Sequence, residues 1–148
     1  MKTNFAVLVS AILLGACTAT APTNVETGAV ISGEADLTCL LPSNCVSSRG
    51  SGGLTPLPYV GTPVQAKAML QATLKTFPEA TVLRSEPLVM EVIFTTPVGF
   101  KDQVDFRIDP QAQRVDFRSR SLFGLFDWGK NRSRMQEFKA RFEQQGRL

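Results

Sequence analysis

The stretch Val104-Asp-Phe-Arg-Ile-Asp-Pro-Gln-Ala-Gln-Arg-Val-Asp-Phe-Arg-Ser-Arg120 decides the fold. Val104, Phe106 and Ile108 alternate with Asp105, Arg107 and Asp109, and the same period returns at Val115 and Phe117. A period of two with one apolar face is the pattern of a half-buried strand. Pro110-Gln-Ala-Gln113 supplies a turn, so the stretch reads as a hairpin. If Asp109 faces Arg114, then Arg107 faces Asp116 and Asp105 faces Arg118. The same register sets Ile108 opposite Val115 and Phe106 opposite Phe117. A slip of one residue would drive the charges into the core, so packing and electrostatics select the same pairing. Each exposed pair contributes only about 0.2–1 kcal/mol, so the ladder specifies register more than stability. Asp105, Arg107, Asp116 and Arg118 are therefore assigned to the sheet rather than to chemistry.

Upstream, period-two stretches at 81–85 and 88–95 give two more strands, with Pro87 between them and Leu88, Met90, Val92 and Phe94 on one face. Before them, Thr62-Pro63-Val64-Gln65 has the form of a helix start. Thr62 caps the free amides, Pro63 suits the first helical position, and Gln65 completes a capping box. Ala66, Met69, Leu70, Leu74 and Phe77 make its apolar stripe, and Pro78 ends it. A last helix runs from about Lys130 to Gln145, with Met135, Phe138 and Phe142 inward and Glu137 and Arg141 as an i,i+4 pair. The expected fold is α+β: a four-stranded antiparallel sheet with two helices packed on one face, the charged ladder left in solvent.

The N-terminus reads differently. Lys2 precedes an apolar run from Phe5 to Leu14, followed by Leu14-Gly15-Ala16-Cys17. The run is too short for a membrane span, which needs roughly 20 apolar residues. A basic start, a short apolar core and small residues before a cysteine form a lipoprotein signal. Residues 1–16 are thus expected to be a cleaved signal peptide and Cys17 the lipidated residue, anchored by two or three acyl chains. Thr18 stands where an inner-membrane retention aspartate is common, so the expected location is the outer membrane, facing the periplasm. Residues 17–38, rich in Ala, Thr and Gly, read as a lipidated flexible tether, and 39–148 as a single domain.

The formal charge of +3 argues against a nucleic-acid binder, but its distribution is uneven. From Arg118 to Leu148 there are eight Lys or Arg against three Asp or Glu, while residues 18–117 carry seven against ten. A basic C-terminal third suits anionic lipid, a polyanion or an acidic partner, or is merely a solvated face. An oxidising envelope favours joining Cys39 and Cys45, with a reactive pair or free thiols as alternatives. The chain has no histidine, and two cysteines do not complete a zinc site, so no metal or cofactor is expected.

The segment Arg118-Ser-Arg-Ser-Leu-Phe-Gly-Leu-Phe-Asp-Trp-Gly-Lys-Asn-Arg-Ser-Arg134 joins the hairpin to the last helix. Together with Pro42-Ser-Asn-Cys-Val-Ser-Ser48 and Asp102-Gln-Val-Asp-Phe106, it resembles the bacterial family called "domain of unknown function 1499" over roughly residues 39–134. Members typically carry Pro-Asn-Cys-Val-Ser-Ser, Asp-Asp-Val-Glu-Phe, Arg-Ser-Ala-Ser-Arg and Asp-x-Gly-x-Asn-Arg-x-Arg. Here Gln103 replaces an acid and Leu122 stands where an arginine is usual. The resemblance implies no activity.

In this segment Asp127 or Asn131 suits the cap of the last helix, and Trp128, the only tryptophan, is expected over the sheet edge or core. Arg120, Arg132 and Arg134, with Asn131 and Asp127, are the candidate anion- or partner-binding residues, because guanidinium presents a planar fork to carboxylate or phosphate. The competing reading has these arginines pair with Asp102, Asp105 or Asp127 and lock helix to sheet. Ser119, Ser121 and Ser133 are hydroxyls without a histidine to activate them, so no catalytic residue is assigned. The leading expectation is a non-catalytic binding or assembly module of the cell envelope, with an envelope protein or an anionic ligand as partner. A periplasmic anion-binding protein and a histidine-free hydrolase are the alternatives.

Overall fold

The computed structural model describes residues 37–50 and 53–147. The signal peptide, Cys17 and all but the last two residues of the expected tether lie outside the described residues. Leu37 and Thr38, at the end of that tether, belong to the folded body: Leu37 is buried, and the Thr38 carbonyl accepts a bond from Arg118 Nη1.

The chain runs β1 (Cys45–Ser47), β2 (Leu57–Pro58), α1 (Pro63–Leu74), β3 (Ala80–Ser85), β4 (Val89–Thr95), β5 (Lys101–Asp109), β6 (Arg114–Ser121) and α2 (Lys130–Gln145). The mixed α/β architecture, with an antiparallel sheet and two helices, is the expected one, but the sheet has six strands rather than four. Its order is β1-β6-β5-β4-β3, and β2 pairs with β6 beyond β1. The two additional strands are three and two residues long. Such lengths are too short to develop a period, and both lie in stretches whose Pro, Gly and Ser content reads as loop. They cover an edge of β6 that would otherwise carry unpaired amides: β1 pairs with Arg118, Ser119 and Arg120, and β2 with Arg114 and Val115.

The hairpin has the register that its charges and apolar residues dictate: Asp105 opposite Arg118, Arg107 opposite Asp116, Asp109 opposite Arg114, and Phe106 opposite Phe117. The even-numbered side of β5 and the odd-numbered side of β6 meet the helices. Val104, Phe106, Val115 and Phe117 are buried there with Met90, Val92 and Phe94 of β4. Helix α1 begins with the capping box anticipated from Thr62 and Gln65. It contributes Ala66, Leu70 and Leu74, and α2 contributes Met135, Phe138 and Phe142. Phe138 lies at the centre, with ring centroids 5.6 Å from Phe77 and 5.0 Å from Phe106. Leu88 is exposed, since β4 starts one residue after it.

The other sheet face departs from expectation. Over the middle of β5 and β6 it is not open to water: Asp105, Arg107 and Asp116 are all buried. Residues from the 37–50 segment reach over it. Ser48 Oγ donates to Asp116 at 3.3 Å, Arg49 Nη2 to the same carboxylate at 2.9 Å, and Arg118 Nη2 meets Asp105 at 2.6 Å. Buried carboxylates need such partners because desolvation penalises their charge. The disulfide between Cys39 and Cys45 ties this segment into a small ring. Among the described residues no helix is long and apolar enough to cross a membrane.

Candidate functional site

One end of the domain gathers the β4–β5 loop, the β6–α2 loop and the start of α2. Its interior is polar where the rest of the core is apolar. Asp102, Ser119 and Ser121 sit at core-facing positions of β5 and β6, in register with Val104 and Phe117, and Asn131 of α2 descends onto them. Arg134 Nη2 meets Asp102 Oδ2 at 2.6 Å, and Arg134 Nη1 donates to Asn131 Oδ1 at 3.0 Å. Ser119 Oγ donates to Asn131 Oδ1 at 2.5 Å, and Ser121 Oγ to Asp102 Oδ1 at 2.6 Å. The Asn131 amide nitrogen donates to the Asn44 carbonyl and to Ser121 Oγ, both at 3.1 Å. The Arg134 guanidinium also lies 4.8 Å from the centre of the Phe94 ring. The network therefore joins α2, β5, β6 and the chain before β1, and its members satisfy one another.

The five candidate residues of the sequence consequently separate. Arg134 and Asn131 are buried braces. Arg120 projects from the opposite face of β6, where its Nη2 donates to Gln103 Oε1 at 3.0 Å. Arg132 lies beside the disulfide segment, lining a groove of about 530 Å³ with Leu37, Cys39, Arg49 and Asp127. The three arginines do not converge. The N-cap position of α2 is Gly129, in a left-handed conformation, and Asp127, two residues before it, rather than Asn131 supplies the capping carboxylate: its two oxygens accept from the amides of Gly129 and Asn131 at 3.0 and 2.9 Å. A carboxylate there is also favoured by the positive end of the helix. No cluster of three or more metal-binding side chains occurs among the described residues.

The outside of the same end is apolar. The β6–α2 loop carries Leu122, Phe123, Leu125, Phe126 and Trp128, all exposed, and Val98 and Phe100 of the β4–β5 loop join them. Phe123 is 77% exposed, Phe126 67% and Trp128 96%. The expectation that Trp128 covers the sheet edge or core is thus corrected. Its backbone adopts φ of 54°, a left-handed conformation that costs a bulky residue energy, and the following Gly129 shares it at 75°. This double left-handed turn aims the indole outward. Phe100 and Phe123 stack with centroids 6.4 Å apart across the two loops. Between them opens a pocket of about 600 Å³, walled by Phe100, Phe123, Phe126 and Trp128, floored by Asp102 and Ser121, with Lys130 at its side.

The loop is held from behind. Ser43 Oγ donates to the Leu125 carbonyl at 2.5 Å, Asn44 Nδ2 to the Gly124 carbonyl at 2.7 Å, and the Asp127 amide to the Ser43 carbonyl at 3.2 Å. Thus the disulfide-bearing element Pro42–Ser48, the acidic start of β5 and the Asp-Trp-Gly-Lys-Asn-Arg-Ser-Arg segment form one assembly. A model of the family described as "Protein of unknown function (DUF1499)" matches residues 37–142. The chain belongs to this family. The match extends beyond the roughly 39–134 of the motifs, because it takes in Leu37 and most of α2 through Phe142. Among curated proteins, none matches the chain.

Sequence reasoning overlooked the aromatic end. The signal lay in Leu122-Phe-Gly-Leu-Phe-Asp-Trp128, an apolar run with neither a period of two nor one of 3.6, which fits no buried face. The pairing of an arginine with Asp102 is one of the readings the sequence offers, but Ser119 and Ser121 are not connected to it there, although their position parity places polar groups on the core side of β6.

Proposed function

We propose that the protein is a lipid-anchored module of the cell envelope that acts by binding, without catalysis, through the aromatic end of its domain. The observation that carries this reading is Trp128, almost wholly exposed on a left-handed backbone among six other exposed apolar side chains. Neither the exposure nor the backbone conformation contributes to stability, and an apolar patch rimmed by polar residues marks an interaction site. Strain concentrated at such a loop points the same way.

The two alternatives find less support. An anion pocket needs converging donors, yet Arg134 is paired with Asp102 and Arg120 lies on the other sheet face. A hydrolase needs an available nucleophile. Ser119 is buried and donates to Asn131, Ser121 donates to a carboxylate already held by Arg134, and Ser133, though exposed, has no histidine in the chain to activate it.

In this reading Cys17 carries the acyl chains, residues 1–16 are removed, and the domain faces the periplasm from the outer membrane. The signal layout at Lys2–Cys17 and Thr18 after the cysteine support that placement. Intact mass of the full-length gene product isolated from membranes tests it. A chain starting at Cys17 with added acyl mass is the expected result, lost in Cys17→Ala. An unprocessed, unacylated chain would refute the anchored reading.

A further inference from the structure

We propose that the aromatic end is a membrane-contact face: Phe123, Phe126 and Trp128 insert into the interface of the bilayer that anchors the chain. The inference deepens the lipid-anchored reading and rests on it.

Three observations select a lipid surface as the occupant. The first is the composition of the patch. Large apolar side chains protrude from two adjacent loops, and the sole tryptophan is the most exposed of them. Trp at the edge of an apolar surface is the residue type that settles at the headgroup level, with its ring apolar and its N–H wet.

The second is charge. Lys101, next to Phe100, and Lys130, which lines the aromatic pocket, are both exposed. The two nearby acids are engaged: Asp102 is buried against Arg134, and Asp127 caps α2. The accessible charge around the aromatics is therefore positive. Cations flanking Trp and Phe suit phosphate headgroups above an acyl layer.

The third is where the anchored chain joins the domain. Leu37 and Thr38 line the same groove as Asp127 and Gly129, the residues that flank Trp128. The chain toward Cys17 thus leaves from the end that bears the aromatic loop. Leu37 follows Cys17 by only 20 positions in sequence. The end of the domain nearest in sequence to the acyl chains is thus the one that bears the aromatic loop. A face at the opposite end, near the Pro110–Gln113 turn, would have to be carried round the whole domain first.

The test uses the full chain, purified from bacterial membranes and reconstituted in phosphatidylethanolamine–phosphatidylglycerol vesicles, with and without bromine on the acyl chains. Trp128 reports alone, being the only tryptophan. The expected result is a shift of its emission to shorter wavelength and quenching by the brominated chains. Phe123→Ser with Phe126→Ser should lose most of both effects, and Lys101→Glu with Lys130→Glu should weaken them in anionic vesicles. Since all four side chains are exposed, unchanged thermal unfolding confirms that these variants fold.

The outcomes separate the two readings. An acylated chain that floats with the vesicles but shows unquenched, water-like Trp128 emission overturns the membrane contact and leaves the anchor intact. An unacylated chain whose Trp128 is nevertheless quenched upholds the contact and removes the anchor. A blue shift without bromine quenching overturns the contact in favour of a second copy of the chain on this face. A blue shift that needs added envelope protein overturns it in favour of a protein partner.

Discussion

Arg134 of α2 and Asp102 of β5 meet at 2.6 Å, with side chains only 4% and 5% exposed. This contact fixes the start of α2 over the end of the sheet and thereby sets the loop between β6 and α2. Removing one partner strands a charge away from water. Arg134→Met or Asp102→Asn is expected to lower unfolding free energy by about 3–5 kcal/mol. The double variant Asp102→Asn with Arg134→Met should recover part of that loss, because neither charge is then stranded. Urea unfolding of the wild type, the two single variants and the double measures the cycle.

Asn131 is the junction of the polar network, bonded through one amide to Ser119, Ser121, Arg134 and the Asn44 carbonyl. Asn131→Ala leaves several buried groups without partners, each costing about 1–3 kcal/mol. A loss above about 2 kcal/mol is expected. Hydrogen exchange should locate it, with faster exchange at the Ser121 amide, which donates to Asn44 O.

The Cys39–Cys45 bond closes a short ring in the segment that braces the aromatic loop. Loop entropy assigns it about 2 kcal/mol. Paired serine substitution should reduce stability by about that amount. It should also raise exchange at the Asp127 amide, which relies on Ser43 O. Thermal unfolding with and without reductant provides an independent check.

Tyr59 is the only tyrosine, and its hydroxyl donates to the Asp109 carbonyl at 3.3 Å. Burial pushes its ionisation above the ordinary tyrosine value, and the nearby Asp109 carboxylate adds to the shift. The neutral phenol is therefore favoured in the folded protein. Its contribution to stability is complete below about pH 10 and is lost as pH rises through the higher folded value. Ultraviolet titration should give a midpoint above that of the chain unfolded in urea, and Tyr59→Phe should abolish the signal.

Legibility in the sequence followed the strength of local pattern. The β5–β6 register was readable because three charge pairs and two apolar pairs agree on it. The boundaries of α2 were readable because Met135, Phe138 and Phe142 keep one helical face. Strands β1 and β2 were not readable, since two or three residues carry no period and form only to cover β6. The burial of Asp116 depends on Ser48 and Arg49, which lie 68 and 67 residues away in sequence. The exposure of Trp128 is not legible, since the left-handed backbone at Trp128 and Gly129 carries no periodic signal in sequence. Arg134 illustrates the opposite case. Its pairing with Asp102 was one of two readings open to the motif, and the geometry of α2 over β5 decides between them.

Photocrosslinking in intact envelopes tests the central claim, binding through the aromatic end, most directly. A benzophenone side chain placed at position 126 is compared with one at Gln136, which is exposed on α2 away from the loop. Adducts from position 126, with lipid mass attached, and none from position 136 are the predicted result. No adduct at 126, or equal yields from both positions, would contradict it.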